Sequence, residues 1–344
     1  MTHIVSTGEV PPATTNADNR PILAIRDLST SISTVGRTFD IVRRVNLELR
    51  QHEILCLIGE SGCGKTITAL SVMRLLPTPP VKVREGQIIY RGHDLLRLSD
   101  KAMRKIRANS ISMIFQDPLT SLDPMFTVGS LLTEVIRSHR DVDRATATDM
   151  SIAILHEVGF PDPARRLSSY AHELSGGMRQ RVVIALALVL SPDVLIADEP
   201  TAALDVTVQA QILDKLLKEQ QERNMSILLI THDLAVVAAV GDRMAVMYAG
   251  EIVEQGPVEE LFEDPKHPYT QGLLRALPRA SVKKENLIPI PGVVPPPQMM
   301  PPGCHFAPRC PHALSLCWEA HPELETIHGR SFRCFNPQVF EPSR

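Results

Sequence analysis

No apolar run in this sequence is long enough to cross a bilayer. The longest, VVIALALVL at 182–190, falls well short of the ~20 residues a spanning helix needs. A surplus of one charge is also missing. Lys and Arg total 36 against 39 Asp and Glu, a net charge of −3, which speaks against the basic field of a nucleic-acid binder. Residues 1–20 are polar, contain a Pro-Pro pair and lack an apolar signal core, so a disordered leader is expected there and export is not. There is no internal repeat and no heptad run of coiled-coil length. Cysteine is sparse, six in 344 residues, yet four of the six fall between 304 and 334. In a cytosolic chain thiols stay reduced, so this clustering suggests a metal rather than disulfides.

What is present reads as an α/β protein. Hydrophobic residues make up 44% of the chain, enough for a sizeable core. Between 21 and about 262, short apolar runs alternate with helical patterns. EILCLI (53–58), SISMIF (110–115), DVLIADE (193–199) and SILLITH (226–232) have strand length and unbroken apolar character, as expected of strands buried on both faces. One helix is expected from Lys65 to near Pro77. Another starts at Asp205, a natural N-cap, and puts Ile212, Leu213, Leu216 and Leu217 on one face. Alternating strands and helices predict a largely parallel sheet. The stretch 117–190 is helical without a clear strand and reads as an inserted helical subdomain. The expected organisation is an α/β unit over 21–277, a Pro-rich linker over 278–303 and a small Cys-rich appendix over 304–344.

The chemistry concentrates in a few motifs. GESGCGKT, which is Gly59, Glu60, Ser61, Gly62, Cys63, Gly64, Lys65 and Thr66, follows one expected strand and opens a helix. Glycines there let backbone N–H groups turn toward an anion, and the helix N-terminus adds positive potential. Lys65 is placed to reach β- and γ-phosphates and Thr66 to ligate Mg²⁺. DVLIADEP brings Asp198 and Glu199 to a strand end, where one carboxylate can hold Mg²⁺ and its neighbour can orient or deprotonate water. In ELSGGMRQR, Ser175, Gly176 and Gly177 offer N–H donors at a helix start, a second anion site. His232, just after SILLIT, is a γ-phosphate donor or a structural histidine. Gln116, just after SISMIF, is a metal or water contact or a turn residue. Cys56 reads as a buried strand residue, and Cys63 as an oxidation-sensitive thiol in the loop.

The order of these pieces resembles the ATPase subunits of ATP-binding-cassette (ABC) transporters; the Asn-Lys-x-Asp motif of GTPases is missing. That resemblance implies a P-loop NTPase core with an antiparallel β subdomain, an inserted α-helical subdomain and a small Cys-rich C-terminal extension. It implies ATP and Mg²⁺ as ligands. Glu199 becomes the catalytic base, Gln116 and Asp198 contact metal or water, His232 senses the γ-phosphate, Asp205 couples two sites and Phe39 stacks on adenine. ATP would lie between the phosphate loop of one cassette and Ser175–Gly177 of another. FQDPLTSLDPMFTVG (115–129), DEPTAALDVTVQAQIL (198–213) and GEIVEQGPVEELFEDPKHPYTQGLL (250–274) further resemble the oligopeptide and dipeptide importers of bacteria and archaea, with nickel importers sharing the pattern. The partners implied are two membrane permease subunits, a second and related ATPase chain, and an extracellular solute-binding protein. The implied location is the cytoplasmic face of the inner membrane, peripherally bound, with a short membrane-subunit helix received around 116–127. Small departures exist: His52 replaces a usual Gly, and LTSLDP a usual MTSLNP.

The tail thiols Cys304, Cys310, Cys317 and Cys334 are separated by five, six and sixteen residues. These gaps exceed the usual zinc pairing and fall within the varied spacing of iron–sulfur ligands, so spacing leaves both open. The pattern CxFxPRCPxAxxxC resembles the importer segment reported to hold a [4Fe–4S] cluster, which favours iron–sulfur.

Overall fold

A computed structural model describes residues 20–34, 36–117, 121–201, 206–276 and 290–340. The expected leader, the start of the Pro-rich linker and Asp205 lie outside the described residues.

The four continuous apolar runs are strands because each feeds two cores. They are β3 (Ile54–Ile58), β6 (Ile111–Ile114), β7 (Val194–Asp198) and β8 (Ser226–Ile230). In β3, Ile54, Cys56 and Ile58 join one buried cluster and Leu55 and Leu57 the other. β7 divides in the same way, with Leu195 and Ala197 on one side and Val194 and Ile196 on the other. Side chains alternate along a strand, and both faces are covered, so the runs are almost wholly apolar, with the small buried Ser112 the one polar residue inside them. With β9 (Arg243–Tyr248) these strands form a parallel block, ordered β9-β3-β8-β7-β6.

A second, antiparallel sheet packs over one face. It comprises β1 (Leu23–Thr34), β2 (Arg37–Leu49), β4 (Val81–Tyr90) and the two-residue β5 (His93–Asp94), ordered β2-β1-β4-β5. The Tyr90 hydroxyl donates to the Asp193 carboxylate at the start of β7, and Arg91 pairs with the same carboxylate at 2.8 Å. These bonds lock the two sheets together. Helix α1 (Lys65–Met73) lies between the sheets, its Ala69, Val72 and Met73 in the shared core. A short α2 (Asp100–Ile106), capped by Ser99, precedes β6.

Residues 121–190 hold helices and no strand among those described. They are α3 (Val128–His139), α4 (Arg144–Glu157), the short α5 (Pro163–Arg166) and α6 (Gly176–Leu188). Leu132 and Ile136 of α3 and Ile154 and Leu155 of α4 meet Val182 and Ala185 of α6 in one buried cluster. After β7 the chain continues as α7 (Val206–Arg223), β8, α8 (Leu234–Val240) and β9. Ile212 and Leu216 are buried and Leu213 and Leu217 partly so, the face expected from their spacing.

The C-terminal part is more deeply integrated than an appendix. β10 (Glu251–Pro257) returns antiparallel to β9, followed by α9 (Val258–Glu263) and α10 (Pro268–Arg275). Beyond the linker, a short α11 (Leu316–Glu319) leads to a hairpin of β11 (Glu325–Ile327) and β12 (Arg330–Phe332). That hairpin pairs with β10 and extends the main sheet to eight strands.

His52, the departure noted above, adopts φ +60°. This left-handed conformation explains why Gly is usual there. Its N–H donates to Ser226 Oγ at 2.9 Å and its carbonyl accepts from Gln220 Nε2 at 2.8 Å, two bonds that hold the imposed geometry.

His267 caps α10: its Nδ1 accepts from the Tyr269 N–H at 3.0 Å, and its own N–H donates to Glu254. Burial, then repulsion from Arg333, pull its pKa down to about 3, whereas the unfolded residue titrates near 6.5. Between those values the unfolded chain takes a proton that the folded chain refuses. This group's stabilisation is therefore complete well above pH 6.5 and is lost on acidification, the slope approaching about 1.4 kcal/mol per pH unit below about pH 6. Urea unfolding between pH 7 and 5 should show this slope. His267→Asn, which can cap without titrating, should flatten it, and an unchanged slope would remove His267 as the cause.

Candidate active site

The loop 59–64 leaves β3 at the edge of the parallel block and turns into α1. Two glycines are required by contact. A Cβ on Gly59 would meet the Met247 carbonyl oxygen at 2.2 Å, and one on Gly64, at φ +110°, would meet the Ile41 carbonyl oxygen at 2.9 Å. The loop is therefore pressed between β9 and β2. Its backbone is tied from outside: the Gly250 N–H donates to the Cys63 carbonyl at 2.9 Å, and the Glu60 N–H to the Tyr269 hydroxyl at 2.9 Å. Ser61 and Gly62 face solvent. Lys65 is buried, and its Nζ donates to the carbonyls of Gly59 at 2.7 Å and Glu60 at 3.0 Å. The ammonium thus lies curled within the loop that would surround a phosphate.

Asp198 and Glu199 stand beside that loop and differ in environment. Asp198 is 1% exposed, and its Oδ2 has no hydrogen-bond partner among the described residues. Burial lifts its carboxyl above the usual range; the Thr66 hydroxyl pulls it down, Glu199 pushes it up and Lys65 pulls it down. A buried carboxylate oxygen without a partner, close to the loop's lysine and threonine, is a donor that fits Mg²⁺. Glu199 is held at φ +48°, a strained conformation for a side chain of its type. Its N–H donates to the Ile230 carbonyl at 2.9 Å. Its carboxylate is clamped between two side chains: Oε2 accepts from Gln116 Nε2 at 3.0 Å, and Oε1 lies 3.1 Å from His232 Nδ1. Gln116 comes from the end of β6, Glu199 from the end of β7 and His232 from the end of β8. The parallel order of the strands delivers all three to one edge, where ligands of open α/β sheets bind.

The other expected site residues fall differently. Ser175 caps α6 through Met178 N–H, and Ser175 and Gly176 are exposed. A Cβ on Gly176 would meet nothing within 4 Å. Among the described residues no hydrogen bond joins this segment to loop 59–66, so it presents its donors outward. Phe39 is half-buried on β2, two residues before the Ile41 carbonyl that touches the loop. Cys63 departs from expectation: it is 2% exposed, and burial raises its thiol pKa. A thiol so enclosed and so protonated is a poor oxidation target. Cys56 is fully buried, its thiol pushed up to about 12 by burial, then by Asp242 and Glu53.

The tail thiols gather and are free. Burial pushes Cys304 up to about 11 and Cys334 up to about 12, with the neighbouring thiols adding to both shifts. No three of the four sulfurs lie within 4.8 Å of one another, whereas thiolates on one zinc would stand about 3.8 Å apart. Backbone N–H groups of Leu314 and Asn336 point at the sulfurs of Cys317 and Cys334, each at 3.4 Å. N–H groups of this kind stabilise thiolates whether a single ion or a cluster binds them.

Sequence reasoning missed Arg309. It is 6% exposed, donates through Nη1 and Nη2 to both carboxylate oxygens of Glu60 at 2.7 and 3.0 Å, and lies over the Tyr248 and Phe306 rings. The tail thus grips the phosphate loop directly. Glu60 lies 249 residues away, and no local pattern in one sequence pairs the two.

A phosphate loop, a metal-competent carboxylate and a clamped glutamate on one sheet edge define a P-loop ATPase of the ABC type. The family models agree: residues 42–202 match "ABC transporter" and residues 253–317 match "Oligopeptide/dipeptide transporter, C-terminal region". The chain is 49% identical to the dipeptide transport ATP-binding protein DppD of Bacillus subtilis over 90% of its own length and 92% of that protein. It is 45% identical to DppD of Escherichia coli over 92% and 97%, and 47% identical to the oligopeptide transport ATP-binding protein OppD of Bacillus subtilis over 88% and 85%. Among solved structures it resembles the dimeric post-hydrolysis state of the ATP-binding cassette MJ0796 bound to ADP and Pi. The TM-score is 0.62 at 25% identity, over 69% of this chain and 98% of that one. The chain belongs to the ATP-hydrolysing, ATP-binding subunits of the oligopeptide/dipeptide family of ABC transporters.

Arg309→Met keeps the buried stem but leaves Glu60 without its bidentate partner. Glu60 is about a third exposed, so the expected loss of unfolding free energy is about 2 kcal/mol, below the range for fully buried pairs. ATP affinity should fall about tenfold as the loop loosens. Arg309→Lys, which cannot fork onto both oxygens, should recover only part. Unfolding curves and nucleotide titrations matching wild type in Arg309→Met would show the clamp to be idle.

Proposed function

We propose that this chain hydrolyses ATP to drive uptake of oligopeptides or dipeptides through partner membrane subunits. The observation that carries this reading is the Glu199 carboxylate, fixed between Gln116 and His232 beside the phosphate loop. The names of the relatives support the peptide cargo.

In this reading the backbone N–H groups of 59–64, the start of α1 and Lys65 hold the triphosphate. Thr66 and Asp198, with Gln116, would hold Mg²⁺, which neutralises charge on the β- and γ-phosphates when bound. Glu199 accepts a proton from the attacking water, an arrangement aided by its fixed orientation. His232, mostly exposed, contacts the γ-phosphate side. Phe39 stacks on the base. Ser175 and Gly176, exposed at a helix start, with the half-buried Gly177, donate to the triphosphate held by a second cassette, a related but different chain, and Asp205 couples the two sites. Each triphosphate then lacks part of its donors until the partner arrives, so binding closes the pair and hydrolysis releases it.

The remaining partners are two permease subunits and an extracellular solute-binding protein, with no nucleic acid. Phe115, Met125 and Phe126 are large apolar side chains left exposed around the Gln116 segment, a surface suited to a short membrane-subunit helix. No helix among the described residues is long and apolar enough to cross a membrane, which accords with peripheral attachment at the cytoplasmic face. Cys304, Cys310, Cys317 and Cys334 would hold a [4Fe–4S] cluster that clamps the tail.

Glu199→Gln should retain ATP binding, accumulate the closed pair with its partner cassette and lower turnover by at least about 10²-fold. Normal hydrolysis by that variant would refute the base assignment. Anaerobically purified chain should be coloured and contain about four iron atoms; a colourless, iron-free protein would end the cluster reading.

A further inference from the structure

Outside the nucleotide site and apart from the thiols, three side chains converge from distant parts of the chain. Glu251 opens β10, while His305 and His321 lie on either side of the Cys310–Cys317 segment. Their ligating atoms all lie within 4.8 Å of one another. His321 Nε2 stands 2.9 Å from Glu251 Oε2, and His305 Nδ1 stands 3.2 Å from the same oxygen. The two rings meet edge to face at 5.1 Å. Glu251 and His305 are each 8% exposed, and His321 is half-buried.

A shared carboxylate bonded to two imidazoles is the plain alternative, but it leaves one atom unexplained. His305 Nδ1 lies 3.2 Å from the Glu251 oxygen but makes no well-aligned hydrogen bond to it or to any other described residue. A buried ring nitrogen without a partner is costly. A metal ion would satisfy it, because the lone pair that finds no N–H would find a cation. The separations also fit. Ligands about 2.0–2.1 Å from a tetrahedral ion stand roughly 3.3 Å apart, near the 2.9 and 3.2 Å observed to the glutamate oxygen.

We propose that Glu251, His305 and His321 form a binding site for one divalent transition-metal ion, of which zinc best matches the two-imidazole, one-carboxylate donor set. The site is distinct from the thiols in chemistry, nitrogen and oxygen rather than sulfur. Its placement gives it a purpose. Cys304 N–H donates to the Cys317 carbonyl at 2.8 Å, joining the two arms that carry the histidines. Glu251 follows Gly250, whose N–H braces the phosphate loop at Cys63. One ion therefore pins both arms of the tail to the strand that supports the nucleotide site.

The test uses the full chain, purified anaerobically, with Glu251→Gln and His321→Gln variants. Zinc content is measured directly, and cobalt(II) is titrated into metal-depleted protein as a spectroscopic stand-in. The wild type should bind about one zinc or cobalt per chain at this site, with ligand-field bands but no thiolate charge-transfer band for that equivalent. Each variant should weaken this binding by about a hundredfold while leaving thiol-bound metal unchanged. His321 is partly exposed, so its variant should fold even if Glu251→Gln does not. Absence of this equivalent in the wild type, binding undiminished in His321→Gln, or a cobalt spectrum showing only thiolate charge transfer would each overturn the proposal.

Discussion

Contact between backbones at the end of β3 governs this molecule. Gly59 lies so close to the Met247 carbonyl of β9 that no Cβ fits, and Gly64 is pressed, less severely, against the Ile41 carbonyl of β2. These contacts set the loop's path and, with it, where Lys65 and Thr66 begin their helix. They hold only because β3 is buried on both faces between two filled cores. The chemistry at the sheet edge is thus a consequence of packing beneath it. The strain in Glu199 at φ +48° is sustained by that packing and by its hydrogen bond to β8.

The central sheet was legible in the sequence where burial on both faces leaves unbroken apolar runs. β3, β6, β7 and β8 all announce themselves in this way, and the residues that end them, Gly59, Gln116, Asp198, Glu199 and His232, become the site. Strands exposed on one side were harder to read. β1 and β2 mix buried Leu28 and Val42 with exposed Asp27, Arg37 and Thr38, and their register shifts at bulges break the alternation that would reveal them. The antiparallel sheet was expected only from family resemblance.

The tail was the least legible part. Its thiols stand out, but what they accompany does not. Arg309 meets Glu60, and His305 and His321 meet Glu251, across separations that no local periodicity encodes. A proline-rich linker suggests a detached appendage. Instead, Phe306 packs with Tyr248 and Tyr269, and the β11–β12 hairpin lengthens the sheet. The tail is therefore part of the support of the phosphate loop, reaching it through Arg309 and through the β9–β10 turn.

The account stands on triphosphate being held by the loop that these contacts shape. Calorimetric titration of the intact chain with ATP and magnesium, alone and beside a partner cassette, measures this most directly. The structure predicts saturable heat from one site per chain, abolished by Lys65→Ala. No heat of binding in either setting, or full binding by Lys65→Ala, would contradict it.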